Sequence, residues 1–319
     1  MSVPRRLHGM TLVAFMVALA LGALLLLLAA ELLLASRRSL LWQAAVTQLE
    51  RSGERGLALV TAELAMAGFL GGVRFVTLPP GAPGCGAADG WALAPFPALA
   101  LADRGATDEH RLSDGSTPDC LPGRYLQPGS DLLALKRAAT LETGAGGRAL
   151  RDTQWYLLAD PTGGGTFDYV DAGAGMGGPA SAGQQVREWR SSIYYVRDYS
   201  IQPGDGIPTL CVERLQGSAM RSECLVEGVE RLHVEFHVDR DADGRADEVL
   251  AAPGAAALRQ ATHATVYLQV RTLASLRAKA ESSELRLGRE RVVVPAGDPY
   301  LHRVFVRTVP LRNLSWSAA

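Results

Sequence analysis

The N-terminal part of the chain contains a long run of apolar residues. No charged residue occurs from Met10 to Ala30, and Glu31 is followed by a second apolar stretch, LLLAS. At about 1.5 Å per residue, a helix of this length can cross the ~30 Å hydrocarbon core of a bilayer with its backbone hydrogen bonds satisfied internally. The pattern predicts a membrane-spanning helix. A secretory signal cleaved after Ala30 is an alternative, although such signals have apolar stretches of only about 7–15 residues.

The charges that flank the apolar run do not orient it in a membrane. Arg5 and Arg6 precede the run, and Arg37 and Arg38 follow it. A cytoplasmic end is marked by an excess of Lys and Arg, so equal numbers on both sides leave the topology open. A plain anchor in either orientation fits these charges.

Beyond Arg38 the pattern becomes amphipathic and predicts a helix that continues to about Ala67. Apolar or small residues recur every three or four positions, which is the spacing of one helix face. Gly53 and Gly56 lie inside this helix, and each costs on the order of 1 kcal/mol relative to Ala, so we expect a bend or a close packing contact there. The segment GFLGG then ends the helix. The apolar face comprises Leu41, Ala45, Leu49, Gly53, Leu57, Val60, Leu64 and Ala67, and the other face carries Gln48, Glu50, Arg51, Glu54, Arg55 and Glu63.

The chain after Gly72 is typical of β-structure. Short runs rich in β-branched and aromatic residues, such as SIYYVRDYSI, TLCVERL and RVVVP, are bounded by Gly, Pro, Asp or Ser. LHVEFHVD alternates strictly, which predicts a half-buried antiparallel strand with Leu232 and Phe236 on the buried face. TLPPGAPGCGAADGW and DPTGGGTFDYVDAGAGMGGPASAG predict two long loops. The fold class is therefore α+β.

Composition and motifs argue against several classes of function. The chain has 319 residues, of which 48% are hydrophobic, and 32 Lys and Arg are balanced by 33 Asp and Glu. Without a basic excess, nucleic acid is not an expected partner. Neither a phosphate-binding loop, a serine nucleophile elbow nor a His-Glu-x-x-His pair occurs in the sequence. We therefore expect a protein that is not an enzyme and requires no cofactor.

The segment HGMTLVAFMVALALGALLLL resembles the N-terminus of a type IV prepilin. The resemblance implies that prepilin peptidase cuts after Gly9 on the cytoplasmic side, that Met10 becomes the N-methylated first residue, and that the apolar helix becomes the filament core. One residue departs from the pattern. Most prepilins carry Glu as the fifth residue after the cut, and this chain has Ala14.

Further segments are similar to PilW-type minor pilins. They include LERSGERGLALVTAELAMAGFLGG, YYVRDYSIQPGDGIPTLCVERL, LVEGVERLHVEFHVDRDADGRADEVL and LHRVFVRTVPLRN. The resemblance implies a type IV pilin-like fold, in which a long N-terminal helix packs on an antiparallel sheet with long Gly/Pro-rich loops. It divides the chain into a leader at 1–9, a membrane and filament-core helix at 10–36, an amphipathic second half of that helix at 37–70, and a β-rich head at 71–319.

The same resemblance implies a function and a location. A minor pilin of this type joins other minor pilins in a complex that primes pilus assembly and lies at or near the filament tip. Twitching motility, cell adhesion and DNA uptake are open alternatives for what the pilus does. Its partners are other minor pilins, the major pilin, prepilin peptidase, the assembly platform and a tip adhesin. The implied location is a single pass through the inner membrane with the head in the periplasm, and later the pilus at the cell surface.

Two hypotheses of other kinds remain open. One is a pseudopilin of a type II secretion system, which shares the leader and the helix. The other is a membrane-anchored periplasmic binding module with an uncleaved anchor and a calcium loop. An unprocessed N-terminus would favour the second.

All four cysteines lie on the implied outer side of the membrane, where disulfides form and persist. Four cysteines allow three connectivities. We favour Cys85 with Cys120 and Cys211 with Cys224, because each bond closes a loop within one region and the second would join a hairpin around ERLQGSAMRSE. Free buried thiols are the alternative. Zinc is less favoured because no Cys-x-x-Cys pair occurs.

The segment DRDADGRADEVL has the carboxylate spacing with which a calcium loop begins. Alternate carboxylates can converge on one hard cation while the glycine permits a sharp turn. The bidentate Glu that ends an EF-hand loop is replaced here by Leu250, and a simple Asp/Gly hairpin turn is the alternative. Calcium is thus the one candidate ligand. The residues concerned are Asp239, Asp241, Asp243, Gly244 and Asp247.

Overall fold

The computed structural model describes residues 12–85, 89–103, 110–121, 123–143, 149–173, 183–276 and 281–314. The chain divides into two compact units, Met1–Thr47 and Gln48–Ala319. In the first unit the structure describes helix only, as the long run of Leu, Ala, Val and Met predicts. The second unit contains the rest of that helix and all the strands. The predicted boundaries at residues 9, 36 and 70 stay predictions.

Helix α1 spans Leu12–Leu64, 53 residues, so the membrane-type and amphipathic patterns belong to one continuous helix. It ends three residues before the predicted Ala67, in turns that run to Gly68. Gly68 has φ 79°, a left-handed conformation that suits glycine. Its N–H donates to the Lys136 carbonyl oxygen at 3.0 Å, which fixes the point where the chain leaves the helix.

Eight strands form the first sheet, in the order β1-β5-β4-β6-β3-β2, with β7 paired to β6 and β8 paired to β7. β1 and β5 are parallel, and the other pairs are antiparallel. A short 3-10 helix, Gly123–Tyr125, lies between β2 and β3. The strands are β1 (Phe75–Thr77), β2 (Leu99–Ala102), β3 (Leu132–Ala138), β4 (Gln154–Ala159), β5 (Gly164–Val170), β6 (Gln185–Arg197), β7 (Thr209–Gln216) and β8 (Ala219–Glu227).

The second sheet has four antiparallel strands in the order β10-β9-β11-β14. A separate antiparallel hairpin, β12–β13, and the short helix α2 complete the described elements. The bounds are β9 (Val229–Val238), β10 (Glu248–Leu250), α2 (Ala255–Arg259), β11 (Ala261–Arg271), β12 (Ser283–Leu287), β13 (Glu290–Val294) and β14 (His302–Pro310).

The core is divided between the two faces of the first sheet. On β6, Tyr194 and Val196 belong to the cluster that contains helix residues such as Leu57, whereas Ile193 and Tyr195 belong to a second cluster beneath the loops that precede β2 and β3. Because successive side chains of a strand point to opposite faces, β6 is buried on both sides. The predicted α+β fold, a long helix with an antiparallel-rich sheet domain, is confirmed.

Two details of the sequence-based interpretation are wrong. The second predicted loop contains strand β5, whose aromatic and β-branched residues pair with β4, as in Phe167 opposite Leu157; residues 174–182 of that loop lie outside the described residues. The predicted half-buried strand is β9, which is buried on both faces, since His233 and Glu235 are buried as well. The β12–β13 hairpin provides the cover, because the Arg289 N–H donates to Glu235 Oε1 at 2.8 Å.

Candidate functional site

The N-terminal part of α1 presents an apolar surface that none of the described residues of its own compact unit covers. Leu12, Phe15, Leu26 and Leu33 are all more than half exposed. The helix is long and apolar enough to cross a membrane, judged by length and composition. Because exposed apolar surface of this extent is unfavourable in water, the segment is suited to lipid or to apolar surfaces of other proteins.

The residues predicted for leader processing are only partly described. Gly9 and Met10 lie outside the described residues, so their roles stay predictions. Ala14 lies in the first turns of α1 and is exposed. Glu31, the first acidic residue after the apolar run, is exposed on the same helix, seventeen residues further along. At 1.5 Å per residue, Glu31 lies about 25 Å from Ala14 along the helix. Its carboxylate is therefore too far away to replace the one that most prepilins carry at the position of Ala14.

Within the second unit, the glycines of α1 allow the closest contacts with the β-sheet. A Cβ built on Gly53 would lie 2.2 Å from the Cε2 atom of Phe305 on β14, and one on Gly56 would lie 2.9 Å from Cδ1 of Leu268 on β11. Both distances are shorter than van der Waals contact. The expected close packing at these two glycines is therefore present, and it explains why residues that weaken a helix occur there.

Charged residues on α1 add ion pairs to this packing. Glu63 accepts two hydrogen bonds from Arg137 on β3, Nε to Oε2 at 2.6 Å and Nη2 to Oε1 at 2.7 Å, and Arg190 Nη1 lies 3.5 Å from Oε1. Burial raises the pKa of the Glu63 carboxyl, but Arg137, aided by Arg190, outweighs burial and holds the pKa below its usual value. The sequence placed Glu63 on the polar face of the helix and gave no sign of this partner.

Two more pairs connect α1 with β14. Glu50 pairs with Arg303, and Glu54 pairs with Arg307 at 2.9 Å. The four residues are spaced by four along the helix and by four along the strand, so the two pairs lie one after the other. All four side chains are more than one third exposed, so each pair contributes little to stability.

The structure contains the two disulfides favoured from the sequence. Cys85 bonds to Cys120 across loops of the second core, with a Cα–Cα distance of 5.2 Å. Cys211 bonds to Cys224, directly opposite it in the β7–β8 hairpin, with a Cα–Cα distance of 4.0 Å. The residues between them continue both strands and form the turn at Gly217 and Ser218, so the bond joins a hairpin as expected.

The acidic loop connects β9 to β10. Carboxylate oxygens from Asp239, Asp241 and Asp247 all lie within 4.8 Å of one another. Asp243, which the motif also marked as a ligand, is not in this group; its Oδ1 accepts a hydrogen bond from the Arg245 N–H at 2.7 Å. Gly244 has φ 88° and donates its N–H to Asp239 Oδ2 at 2.8 Å. The loop thus combines a turn that favours glycine with three converging carboxylates.

Three carboxylates lie close to a buried histidine on β9. His233 Nδ1 lies 3.1 Å from Asp131 Oδ2 and 3.6 Å from Glu290 Oε2, and its Nε2 lies 3.9 Å from Glu235 Oε1. Burial lowers the pKa of His233, but these carboxylates outweigh it and raise the pKa. Sequence reasoning missed this group because Asp131 and Glu290 come from distant segments.

A comparison with models of protein families finds a match in the C-terminal part of the chain. The family described as PilW, Type IV Pilus-assembly protein W, matches residues 193–313. Over this region the resemblance to the PilW family is confirmed. The PilW-like region, residues 193–313, runs from the middle of β6 to just past β14. It therefore contains the β7–β8 disulfide, the acidic loop, the buried histidine and the Phe305 ring that contacts Gly53.

Other comparisons add little. A type IV-like pilin from Thermus thermophilus is similar at 14% identity, over 84% of this chain and 96% of that chain, with a TM-score of 0.36. A likeness of this size carries no argument. Among curated proteins no match is found.

The PilW match supports a role related to the type IV pilus, with contacts to other pilus components. The apolar helix is compatible with membrane anchoring. A pilin-type protein is expected to act by assembly, and this agrees with the expectation of a protein that is not an enzyme.

Proposed function

We propose that this protein is a minor pilin that joins other minor pilins in a complex that primes type IV pilus assembly at the filament tip. The observation that carries the proposal is the PilW match over residues 193–313. The leader-like segment around Gly9 and the long apolar helix agree with it. The role is one of binding and templating, without catalysis.

The exposed part of α1 would occupy two environments in succession, first the membrane and then the filament. Before assembly, its apolar surface would lie in the inner membrane, with the second unit in the periplasm. In the filament, the same surface would pack against the corresponding helices of other subunits, because both lipid and apolar helices remove it from water. Leu26 and Leu28 exemplify the side chains concerned, since both are more than half exposed in the isolated chain.

Ala14 is the basis for the tip position. In the pilin picture, a carboxylate at this position of an incoming subunit neutralises the N-terminal amine of the subunit ahead of it. A buried ion pair of this kind is costly to leave incomplete in an apolar interior. The alanine side chain carries no carboxylate, so the subunit cannot neutralise an amine ahead of it. A subunit at the tip has no such amine to neutralise.

The proposal is tested by deleting the gene and restoring it with the wild type or with Ala14→Glu. Deletion should reduce the number of surface pili, and the wild-type gene should restore it. In crosslinking of purified pili, the wild-type protein should bind minor pilins from one side only, and Ala14→Glu should change the order of its neighbours. Unchanged pilus number on deletion would refute the pilus role, whereas unchanged neighbours in Ala14→Glu would refute only the argument from Ala14.

A further inference from the structure

The acidic loop between β9 and β10 contains three carboxylates that repel one another unless a cation binds between them. Oxygens of Asp239, Asp241 and Asp247 lie within 4.8 Å of one another. Asp241 and Asp247 are exposed, so an ion can reach them from solvent. The nearby Arg240 is already paired with Glu248, and its backbone N–H donates to Asp247 Oδ2 at 2.7 Å. The side chain of that arginine is thus directed to another carboxylate.

Asp239 provides the second, independent observation. Its exposed fraction is only 8%, and it follows the central strand β9 directly. One carboxylate oxygen, Oδ2, accepts the Gly244 N–H, but the buried Oδ1 has no hydrogen-bond partner among the residues that the structure describes. A buried carboxylate oxygen without a donor is costly, and a bound metal ion is one of the few groups that can satisfy it.

The backbone around the loop is held independently of any ion. The Asp239 N–H donates to the Gln260 carbonyl oxygen at 3.0 Å, and the Asp247 N–H donates to the Val238 carbonyl oxygen at 2.9 Å. These bonds fix both ends of the loop at the end of β9. The backbone of Asp239 and Asp247 is therefore positioned by the sheet, which lowers the entropic cost of binding.

We propose that this loop binds one calcium ion through Asp239, Asp241 and Asp247. Calcium accepts carboxylate oxygens in flexible geometry and tolerates water in its remaining positions, whereas magnesium requires near-octahedral geometry and gives up water reluctantly. The ligand set differs from the EF-hand order, because Asp247 replaces Asp243. This site is independent of the pilus role and would exist in the purified protein.

Isothermal titration calorimetry of the full chain in detergent micelles with calcium chloride, after removal of metal with EDTA, tests the site. We expect about one ion per chain, with a Kd of about 0.1–1 mM, as in extracellular calcium modules. The midpoint of thermal unfolding should rise with calcium concentration, and potassium chloride at equal ionic strength should not raise it. Absence of saturable calcium binding to the wild type would overturn the proposal.

Substitutions within the loop test which residues bind the ion. Asp239→Asn, Asp241→Asn and Asp247→Asn should each weaken calcium binding by at least about tenfold. Asp243→Asn is the matched control: it removes one charge from the same loop and should retain affinity within about twofold. If Asp239→Asn fails to fold, the variants at the two exposed positions, Asp241→Asn and Asp247→Asn, test the ligand assignment instead. Retained binding in Asp247→Asn together with loss in Asp243→Asn would overturn the assignment of ligands.

Discussion

The apolar residues in the two parts of helix α1 differ in their exposure. Leu12 and Leu26, in the first compact unit, are 76% and 73% exposed, whereas Leu57 and Val60, in the second, are 1% and 0% exposed. The second part has its partner within the chain, in the strands of the head. The first part has no such partner among the described residues of its own unit, and the proposed membrane and filament would each provide one.

Two glycines, Gly22 and Gly53, show the same difference between the exposed and the buried part of α1. Gly22 in the first part has nothing within 4 Å of where a Cβ would be, whereas Gly53 in the second is in direct contact with Phe305. Glycine therefore has a packing role in one part and, among the residues that the structure describes, no packing contact in the other. Helix propensity alone does not distinguish the two positions, but packing does.

The largest expected effect comes from truncating a leucine in the buried part. Leu57→Ala removes a side chain from the centre of the core, and we expect it to lower the free energy of unfolding of the head by about 2–5 kcal/mol. Leu26→Ala makes the same chemical change on the exposed part and should alter this quantity by less than about 0.5 kcal/mol. Urea unfolding in detergent micelles measures both. Equal losses in the two variants would contradict the comparison.

The ion pair of Glu63 gives the next largest effect and a dependence on pH. Glu63→Gln leaves the Arg137 guanidinium without its anion and should cost about 1.5–3 kcal/mol at pH 7. The folded pKa of Glu63 lies below its ordinary value of 4.5, so the stabilisation is fully present above pH 4.5 and is lost as the pH falls through the folded pKa. The difference in unfolding free energy between wild type and variant should therefore shrink below pH 4.5.

Glu223→Gln is the control for this experiment. Its carboxylate pairs with Arg214 at 3.1 Å, but both side chains are more than one third exposed. A pair of this kind contributes no more than about 1 kcal/mol. If Glu223→Gln lowered the free energy of unfolding as much as Glu63→Gln, burial of the Glu63–Arg137 pair would add nothing to its contribution to stability.

Replacing Gly53 or Gly22 by alanine adds one methyl group to α1 and tests the close contact between Gly53 and Phe305. Gly53→Ala forces Phe305 to move and should destabilise the head by about 1–3 kcal/mol. Gly22→Ala meets no atom and, because Ala favours helix over Gly by about 1 kcal/mol, should leave the head unchanged and the helix slightly more stable. Thermal unfolding followed by circular dichroism measures both variants. A stabilising Gly53→Ala would show that the Phe305 ring rearranges without cost.

The smallest expected effect is at the exposed ion pair between α1 and β14. Arg307→Ala removes the partner of Glu54 and should cost no more than about 1 kcal/mol in low salt. Because exposed charges are screened, the difference from wild type should vanish as sodium chloride approaches about 1 M. Urea unfolding at two salt concentrations measures it. A loss that persists in high salt would indicate that packing of the arginine side chain, rather than its charge, matters there.

Local patterns in the sequence predicted the helix, most strands and both disulfides, since each depends on neighbours along the chain. Cys211 and Cys224 are close in sequence, and the turn between them is visible as QGS. What the sequence did not predict depends on contacts between distant segments. β9 was taken for a half-exposed strand because its alternation says nothing of the β12–β13 hairpin, about fifty residues away, that covers His233 and Glu235.

The candidate sites, too, were predicted only as far as they depend on residues that are close in the sequence. Motif spacing identified the acidic loop, but the choice between Asp243 and Asp247 depends on how the loop folds back onto β9. The sequence pattern placed Glu63 on the polar face of the helix, but it could not identify the partner Arg137, which lies 74 residues further on, in β3. Long-range pairing of charges leaves no periodic signal in a single sequence.

The most direct test of the central claim, that the apolar part of α1 belongs to a processed pilin subunit, is the intact mass and N-terminal sequence of the protein purified from its host membranes. We predict a chain that begins at N-methylated Met10, after cleavage at Gly9. A chain that begins at Met1 would instead indicate a plain anchor, and one that begins near Glu31 an exported domain; either result would contradict the proposed role in pilus assembly.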